Sequence, residues 1–211
     1  MEQYKPEKNN NEPKKIAEWK DYYEVYKDAP HSKSLERAVT LYCEQKGDAL
    51  DIGAGNLRDT KYLLQEGFTV TAVDTSEESQ EYGKALNNPS LTMVKDKIGN
   101  WGFPPNHYSV INAQGTLFHF YRDIFDSLIK RIKSSLAPGG VFCGDFLGPN
   151  DDWKECVLLT KEEIISLFDG FDIKMIREVE NDSSLPIDIK NGIDKPKHWH
   201  SFHVIAKKNE D

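Results

Sequence analysis

Cysteine is scarce in this chain: Cys43, Cys143 and Cys156 are odd in number, widely spaced and set in or beside apolar stretches. That argues against a disulfide framework or a cysteine-based zinc cluster and predicts reduced thiols in a cytoplasmic protein. Positive charge is also short. With 27 Lys and Arg against 35 Asp and Glu, the formal net charge is -8, the wrong sign for a surface that must neutralise several phosphates, so no nucleic-acid partner is expected. No apolar run approaches the roughly 20 residues of a membrane helix. Met1 to Lys15 is polar and charged, with no signal-peptide core, so no membrane partner is expected either. The oligomeric state leaves no trace in the sequence.

Aromatic residues are plentiful, with ten Phe, nine Tyr and four Trp in 211 residues, enough bulk for the core of one domain. The composition divides the chain into a disordered tail over 1–13, a helical segment over 14–46 and a core over 47–211. In the second of these, a helix from Lys14 to about Lys27 gathers Trp19, Tyr22, Tyr23 and Tyr26 on one side. A further helix is expected from a Ser34 cap to about Gln45, closed by Gly47.

From Ala49 the cadence changes to short apolar runs alternating with helical segments. Strands are expected at Ala49 to Ile52, Phe68 to Val73, Leu91 to Val94, Tyr108 to Ala113 and Val141 to Phe146. Helices are expected at Arg58 to Gln65, Glu77 to Leu86 and Arg122 to Leu136. Thr160-Lys161-Glu162-Glu163 is a capping box, and strands at Phe171 to Val179 and Trp199 to Lys207 have no helical period between them. The fold class is therefore α/β: a three-layer, Rossmann-like sandwich on a mostly parallel seven-stranded sheet, with an antiparallel C-terminal edge pair and N-terminal covering helices.

The chemistry concentrates at the carboxyl ends of these strands. Leu50-Asp51-Ile52-Gly53-Ala54-Gly55 is a strand entering a Gly-rich turn, but a dinucleotide fingerprint needs a third Gly where Arg58 stands. A nicotinamide-dependent oxidoreductase is disfavoured for that reason. Asp51 offers an anion to an ammonium, or caps its own turn. Asp74, closing the second strand, has two acceptor oxygens suited to the hydroxyls of a ribose, or starts the helix through Thr75. Asp96 is placed to accept from an adenine amino group, with Val94 or Ile98 against the ring and Lys97 beside it, or is a solvated turn residue. Asn112, Ala113 and Gln114 end the fourth strand at the switch point of the sheet, where ligands of open α/β folds lie.

These residues resemble the class I methyltransferases, and within them the small-molecule branch of tellurite-resistance and thiopurine-type enzymes. Asp51-Ile52-Gly53-Ala54-Gly55-Asn56-Leu57-Arg58-Asp59-Thr60 is similar to that branch's cofactor loop. Gly67 to Ser76 is similar to its second strand with the ribose acid, and Leu136-Ala137-Pro138-Gly139-Gly140 to the turn before its fifth strand. Leu57 stands where the branch usually has a third Gly, and Ser109 where an Asp is common. The resemblance implies S-adenosyl-L-methionine as cofactor, with S-adenosyl-L-homocysteine as product, held by Asp51, Gly53, Ala54, Gly55, Asn56, Arg58, Asp74, Thr75, Asp96, Lys97, Ile98, Ala113 and Gln114. It implies methyl transfer to a small-molecule substrate with a soft or anionic nucleophile. It also implies that the N-terminal helices form a lid, giving Trp19, Tyr22, Tyr23 and Tyr26 a ligand to cover. The two departures leave open a module that binds cofactor without turnover.

No catalytic residue declares itself. His119, after the fourth strand, and His200 are the candidate bases. Alternation along the last strand sets His198, His200 and Phe202 on one face and Trp199, Ser201 and His203 on the other. His198 and His203 are read as filling a half-covered strand. A zinc site needs three or four converging ligands, so no metal is expected.

Overall fold

The computed structural model describes residues 19–98, 101–185 and 196–210; the expected tail over 1–13 and the first turn of the first helix lie outside them. Helices α1 (Trp19–Val25) and α2 (Lys33–Tyr42) precede an alternating core of β1 (Asp48–Ile52), α3 (Arg58–Gln65), β2 (Thr69–Asp74), α4 (Glu77–Leu86), β3 (Leu91–Lys95) and β4 (Tyr108–Ala113). The chain continues through α5 (Arg122–Ser135), β5 (Leu136–Leu147), α6 (Lys161–Leu167), β6 (Phe171–Ser183) and β7 (Lys197–Lys208). All seven strands join one sheet in the order β3-β2-β1-β4-β5-β7-β6. The first five are parallel, and β7 runs against both β5 and β6. Among the described residues no helix is long and apolar enough to cross a membrane.

Strand alternation sorts the core onto two faces. Leu50, Ile52, Ile111, Phe142, Phe146, Phe202 and Val204 pack with Phe125, Ile129 and Ile132 of α5 and with Ile164 of α6. Ala49, Val110, Val141, Cys143 and Ile205 pack instead with Leu35 and Val39 of α2 and Tyr62 and Leu63 of α3. Residues two apart share a face, so Asp51, Asn112, Asp145 and His203 all emerge on the α2 and α3 side. They stand at the carboxyl ends of β1, β4 and β5 and beside them on β7.

Several boundaries differ from those read in the sequence. Ser32, not Ser34, is the N-cap of α2, and the helix stops at Tyr42 because Cys43 turns extended and gives its N–H to Ala38 O at 3.1 Å. Gly47 is not a helix stop; a Cβ there would lie 2.8 Å from Ser109 Oγ, so the two small residues accommodate one another. β5 begins at Leu136, since the Ala137 to Gly140 turn remains in the β4 ladder through a register shift opposite Tyr108 and Val110. β6 and β7 outrun their expected ends because they pair continuously as far as Ser183 and Lys197. The Thr160 capping box is present, with Thr160 N donating to Glu163 Oε2 at 2.7 Å and Glu163 N to Thr160 Oγ1 at 3.2 Å.

Beyond β5 the chain folds back over the start of β7 and is held there by a buried ion pair. Lys197 Nζ lies 2.5 Å from Asp151 Oδ1, and Asp151 also accepts from Trp153 N and His200 N at 2.9 and 3.0 Å. The ammonium sits over the rings of Trp153 and Trp199, 4.6 and 3.5 Å from their centroids. Removing one member of a buried pair leaves the other uncompensated. Lys197→Met is therefore expected to lower unfolding free energy by about 3 kcal/mol, at the low end for such pairs because two backbone donors remain on Asp151. Urea denaturation checks this, and an unchanged midpoint would remove the pair from the account of this wall.

Candidate active site

A cavity of about 610 Å³ opens over the carboxyl ends of β1, β2, β3, β4 and β5, within the range of small-molecule sites. Its floor is the turn after β1. Gly53 (φ 69°) and Gly55 (φ 53°) are both left-handed, and a Cβ would come within 2.6 Å of Thr116 Oγ1 at the first and 3.0 Å of the Tyr23 ring at the second. Only glycine meets both demands at these two positions. Leu57 is left-handed as well, at φ 63° and ψ 22°, immediately before α3. The turn thus keeps the backbone that a third glycine would adopt, while the leucine side chain is fully buried with Ala54 and Ala72. Asn56 ties the turn to the covering segment, giving its Nδ2 to Tyr26 O at 2.7 Å and accepting from Arg58 N at 3.3 Å.

Asp51 is buried and accepts from Thr60 Oγ1 at 2.5 Å and Asn112 Nδ2 at 2.9 Å. The same amide reaches Asp59 Oδ2 at 3.3 Å, and Asp59 Oδ1 accepts from Ser32 N at 2.7 Å. Desolvation and the Asp59 charge push the Asp51 carboxyl up to about 7. Two acids face one partial counter-charge, Arg58 Nε at 3.8 Å from Asp59. Such a floor repels phosphate and favours a cation.

Asp74 holds the turn from the next strand, accepting from Gly55 N at 2.9 Å and Ser76 N at 2.8 Å. Each oxygen keeps capacity for a second donor. Thr75, Asp96, Lys97 and Ile98 continue the lining, with Lys97 N donating to Asp96 Oδ1 at 2.7 Å. Of the thirteen residues expected around a cofactor, Ala54 and Ala113 do not face the cavity. Ala54 turns into the Leu57 and Ala72 cluster and Ala113 into the α5 side of the core, because in each case the neighbouring residue takes the ligand face.

Over the cavity, α1 presents Tyr22 and Tyr23, and the turn after it presents Tyr26; the Trp19 side chain lies outside the described residues. Tyr23 is buried against Gly55, with Ser76 hydrogen-bonding its phenol. The Tyr22 and Tyr26 rings lie 4.5 Å apart. At the far end the walls are Phe118, His119, Phe120, Trp153 and Trp199. His119 is an exposed residue, but its ring packs against Phe118 and Trp153, and desolvation there pushes its imidazole below the usual histidine range.

The second candidate base is displaced. His200 lies outside the cavity lining, with Nδ1 accepting from Asn150 N at 3.2 Å and Nε2 3.0 Å from Glu178. It converges with Glu178 and Glu180 within 4.8 Å, which alternation along a single strand did not anticipate. Its tautomer argues against a metal there: an Nδ1 that accepts leaves the proton on Nε2, the atom facing the carboxylates. The β7 histidine that joins His119 in lining the cavity is His203, read from sequence as strand filling. Its Nδ1 stands 2.5 Å from Asp145 Oδ1, and the Asp145 bond raises its proton affinity against the effect of burial. Asp145 was not singled out, although it is the one charged residue within Val141 to Phe146. The Gln114 amide lies between Asn112 Oδ1 (3.2 Å) and this carboxylate. The carboxylate is the stronger acceptor, which directs the amide nitrogen to Asp145 at 2.9 and 3.1 Å.

A methyltransferase domain family model matches residues 49–140. No curated protein matches the chain by sequence. Among solved structures, TehB from Haemophilus influenzae aligns with a TM-score of 0.70 at 18% identity, over 90% of this chain and 67% of that one. The 1,6-didemethyltoxoflavin-N1-methyltransferase of Burkholderia thailandensis, solved with 1,6-didemethyltoxoflavin and S-adenosylhomocysteine, gives 0.65 at 20% identity over 90% and 84%. Haemonchus contortus phosphoethanolamine N-methyltransferase 2, with phosphomonomethylethanolamine and S-adenosylhomocysteine, gives 0.67 at 18% identity over 90% and 57%. At these identities the likeness is one of fold.

The left-handed leucine generates a stability prediction. Leu57→Gly relieves roughly 1 kcal/mol of backbone strain but deletes a buried side chain worth about 3 to 5 kcal/mol. The variant should be about 2 to 4 kcal/mol less stable by urea denaturation. A stabilised variant would show that strain at this position outweighs packing.

Proposed function

We propose that this chain, with a methyltransferase domain over residues 49–140 on a class I fold, is S-adenosylmethionine-dependent and transfers the cofactor's methyl group to a small-molecule acceptor through a soft or anionic nucleophile. The observation that carries this reading is the junction of two unlike half-cavities. Asp51, Asp74 and Asp96 line one at the ends of successive strands, and an aromatic chamber ending at His203 forms the other.

The first half suits the cofactor group by group. Asp51 with Asp59 would face the ammonium, the remaining acceptor capacity of Asp74 would take the ribose hydroxyls, and Asp96 with Ile98 would take the adenine. Gly53 and Gly55 let the backbone approach without a side chain. The acid pair weighs against a nicotinamide dinucleotide, whose pyrophosphate would sit on that turn. So does the antiparallel β7 between β5 and β6. The segment over 14–46 is read as a lid, with Tyr22, Tyr23 and Tyr26 over the cavity and Asn56 anchoring it.

When bound, the cofactor supplies a methyl carbon activated by sulfonium. The protein's part is to hold a nucleophile in line with that carbon, which supplies roughly 7 to 11 kcal/mol of barrier reduction. Phe118, Phe120, Trp153 and Trp199 exclude water from the acceptor, and Tyr22 closes the chamber from above.

Calorimetry with S-adenosylhomocysteine tests the assignment. The wild type should bind, and Asp74→Ala should bind at least roughly 10²-fold more weakly, since two hydrogen bonds to a charged group contribute about 3 kcal/mol or more. Unaltered affinity in the variant would sink the ribose assignment. Binding of NAD in place of the S-adenosyl ligand would favour the oxidoreductase. Binding without methylation of any thiol, metalloid oxyanion or phenol in a broad panel would favour a module without turnover.

A further inference from the structure

Asp145 on β5 and His203 on β7 are directly opposed in the antiparallel ladder and line the acceptor end of the cavity. Opposed residues on one face hold their Cβ atoms about 5 Å apart, so the backbone of the sheet sets this pair. A carboxylate only accepts. The proton between the two, over 2.5 Å, therefore belongs to Nδ1, and the neutral ring keeps Nε2 as an acceptor. Gln114, the residue after β4, secures the carboxylate, 2.9 Å from Oδ2. An imidazole oriented by an acid that is itself held in place is the arrangement by which a histidine removes a proton from a bound group.

We infer that His203 is the general base for the methyl acceptor, with Asp145 as its positioning residue, and that the acceptor is a planar ring compound reacting through an O–H or N–H group. The inference rests on the methyl-transfer reading above and deepens it. Flat aromatic walls select the ring; the base selects a nucleophile that arrives protonated. In the step, the acceptor's proton passes to Nε2, its lone pair forms the bond to the methyl carbon, and the electrons of the carbon–sulfur bond return to sulfur. The imidazolium beside Asp145 then releases its proton to solvent.

The charged and titratable groups facing His203 are Asp145 from β5 and Arg177 across the ladder on β6, with Tyr22 of α1 close to Asp145. The Asp145 hydrogen bond raises the proton affinity of His203, while burial and Arg177 lower it. A base of raised pKa is competent above that pKa, so proton removal fails as pH falls through it. His119 opens on the same chamber, but burial lowers its proton affinity and makes it the weaker base.

Imidazole NMR of the cofactor-free protein, with His203 assigned by loss of its signals in His203→Gln, reads the pair directly. Neutral His203 should carry its proton on Nδ1, and Asp145→Asn should lower its proton affinity by about tenfold or more, one pKa unit. A proton on Nε2, or a pKa indifferent to Asp145→Asn, overturns the inference. The acceptor class is tested by adding 4-nitrophenol to protein saturated with S-adenosylhomocysteine and reading its ionisation by absorbance. The wild type should hold it as phenolate at a pH where the free compound is mostly neutral, and His203→Gln should hold it as the neutral phenol, about tenfold more weakly. Neutral phenol in the wild type, or no binding, overturns the acceptor class. Both variants should bind S-adenosylhomocysteine within about twofold of wild type. Failure of the wild type to bind it defeats the methyl-transfer reading, whereas normal binding with a contrary NMR result defeats only the base.

Discussion

Asp51 is buried where β1, β4 and α3 meet, and the ligand edge of the sheet is organised around its carboxylate. Thr60 donates to it from α3 and Asn112 from β4, and the Asn112 amide extends to Asp59, which in turn receives the amide of Ser32, the N-cap of α2. Four elements are thus registered on two acids. Desolvation of the buried carboxyl, and after it the Asp59 charge alongside, is why the Asp51 proton is held so tightly. The strain on this network is electrostatic, and a bound cation would relieve it. A fold stabilised by the two large apolar clusters can tolerate such a site where a ligand binds.

From Asp51 a row of polar side chains continues along the same sheet face. Asn112, Gln114, Asp145 and His203 follow in contact distance of one another, the last pair facing across the ladder. One constraint explains both halves of the cavity: strands that begin their inward alternation with apolar residues end it, two residues on, with polar ones. The reversed strand β7 is essential to this. Running against β5, it brings residues from the middle of its own length to the carboxyl end of β5, and so supplies a histidine where a parallel strand would have supplied its own terminus. The wall from Gly148 to Leu159 then encloses the chamber, pinned by Asp151 and Lys197.

Much of this was legible in the sequence. The helices Arg58–Gln65 and Glu77–Leu86 and the strand Tyr108–Ala113 have the bounds that periodicity and caps predict, because local signals and tertiary packing agree there. The Gly-rich turn and Asp74 were legible as neighbours because each terminates a consecutive strand. The rest depended on pairing that single-strand periodicity does not contain. Alternation along β7 set Trp199, Ser201 and His203 on a common face, yet which face met the ligand followed only from its register with β5. Asp145 was hidden for the same reason, as was the convergence of Glu178, Glu180 and His200 across β6 and β7. Leu57 looked anomalous by composition and is resolved by geometry: the backbone is that of glycine, and the side chain belongs to the core.

The acid pair at the end of β1 is built to receive a cation, and proton release on binding reads this out. S-adenosylhomocysteine is titrated into the protein at pH 6 by calorimetry in buffers of different ionisation enthalpy. Asp51, held up near 7 in the free protein, should ionise when an ammonium arrives, so that roughly one proton is released per ligand. That release should be absent in Asp51→Asn. Equal affinity in the two proteins with no buffer dependence in the wild type would contradict the account.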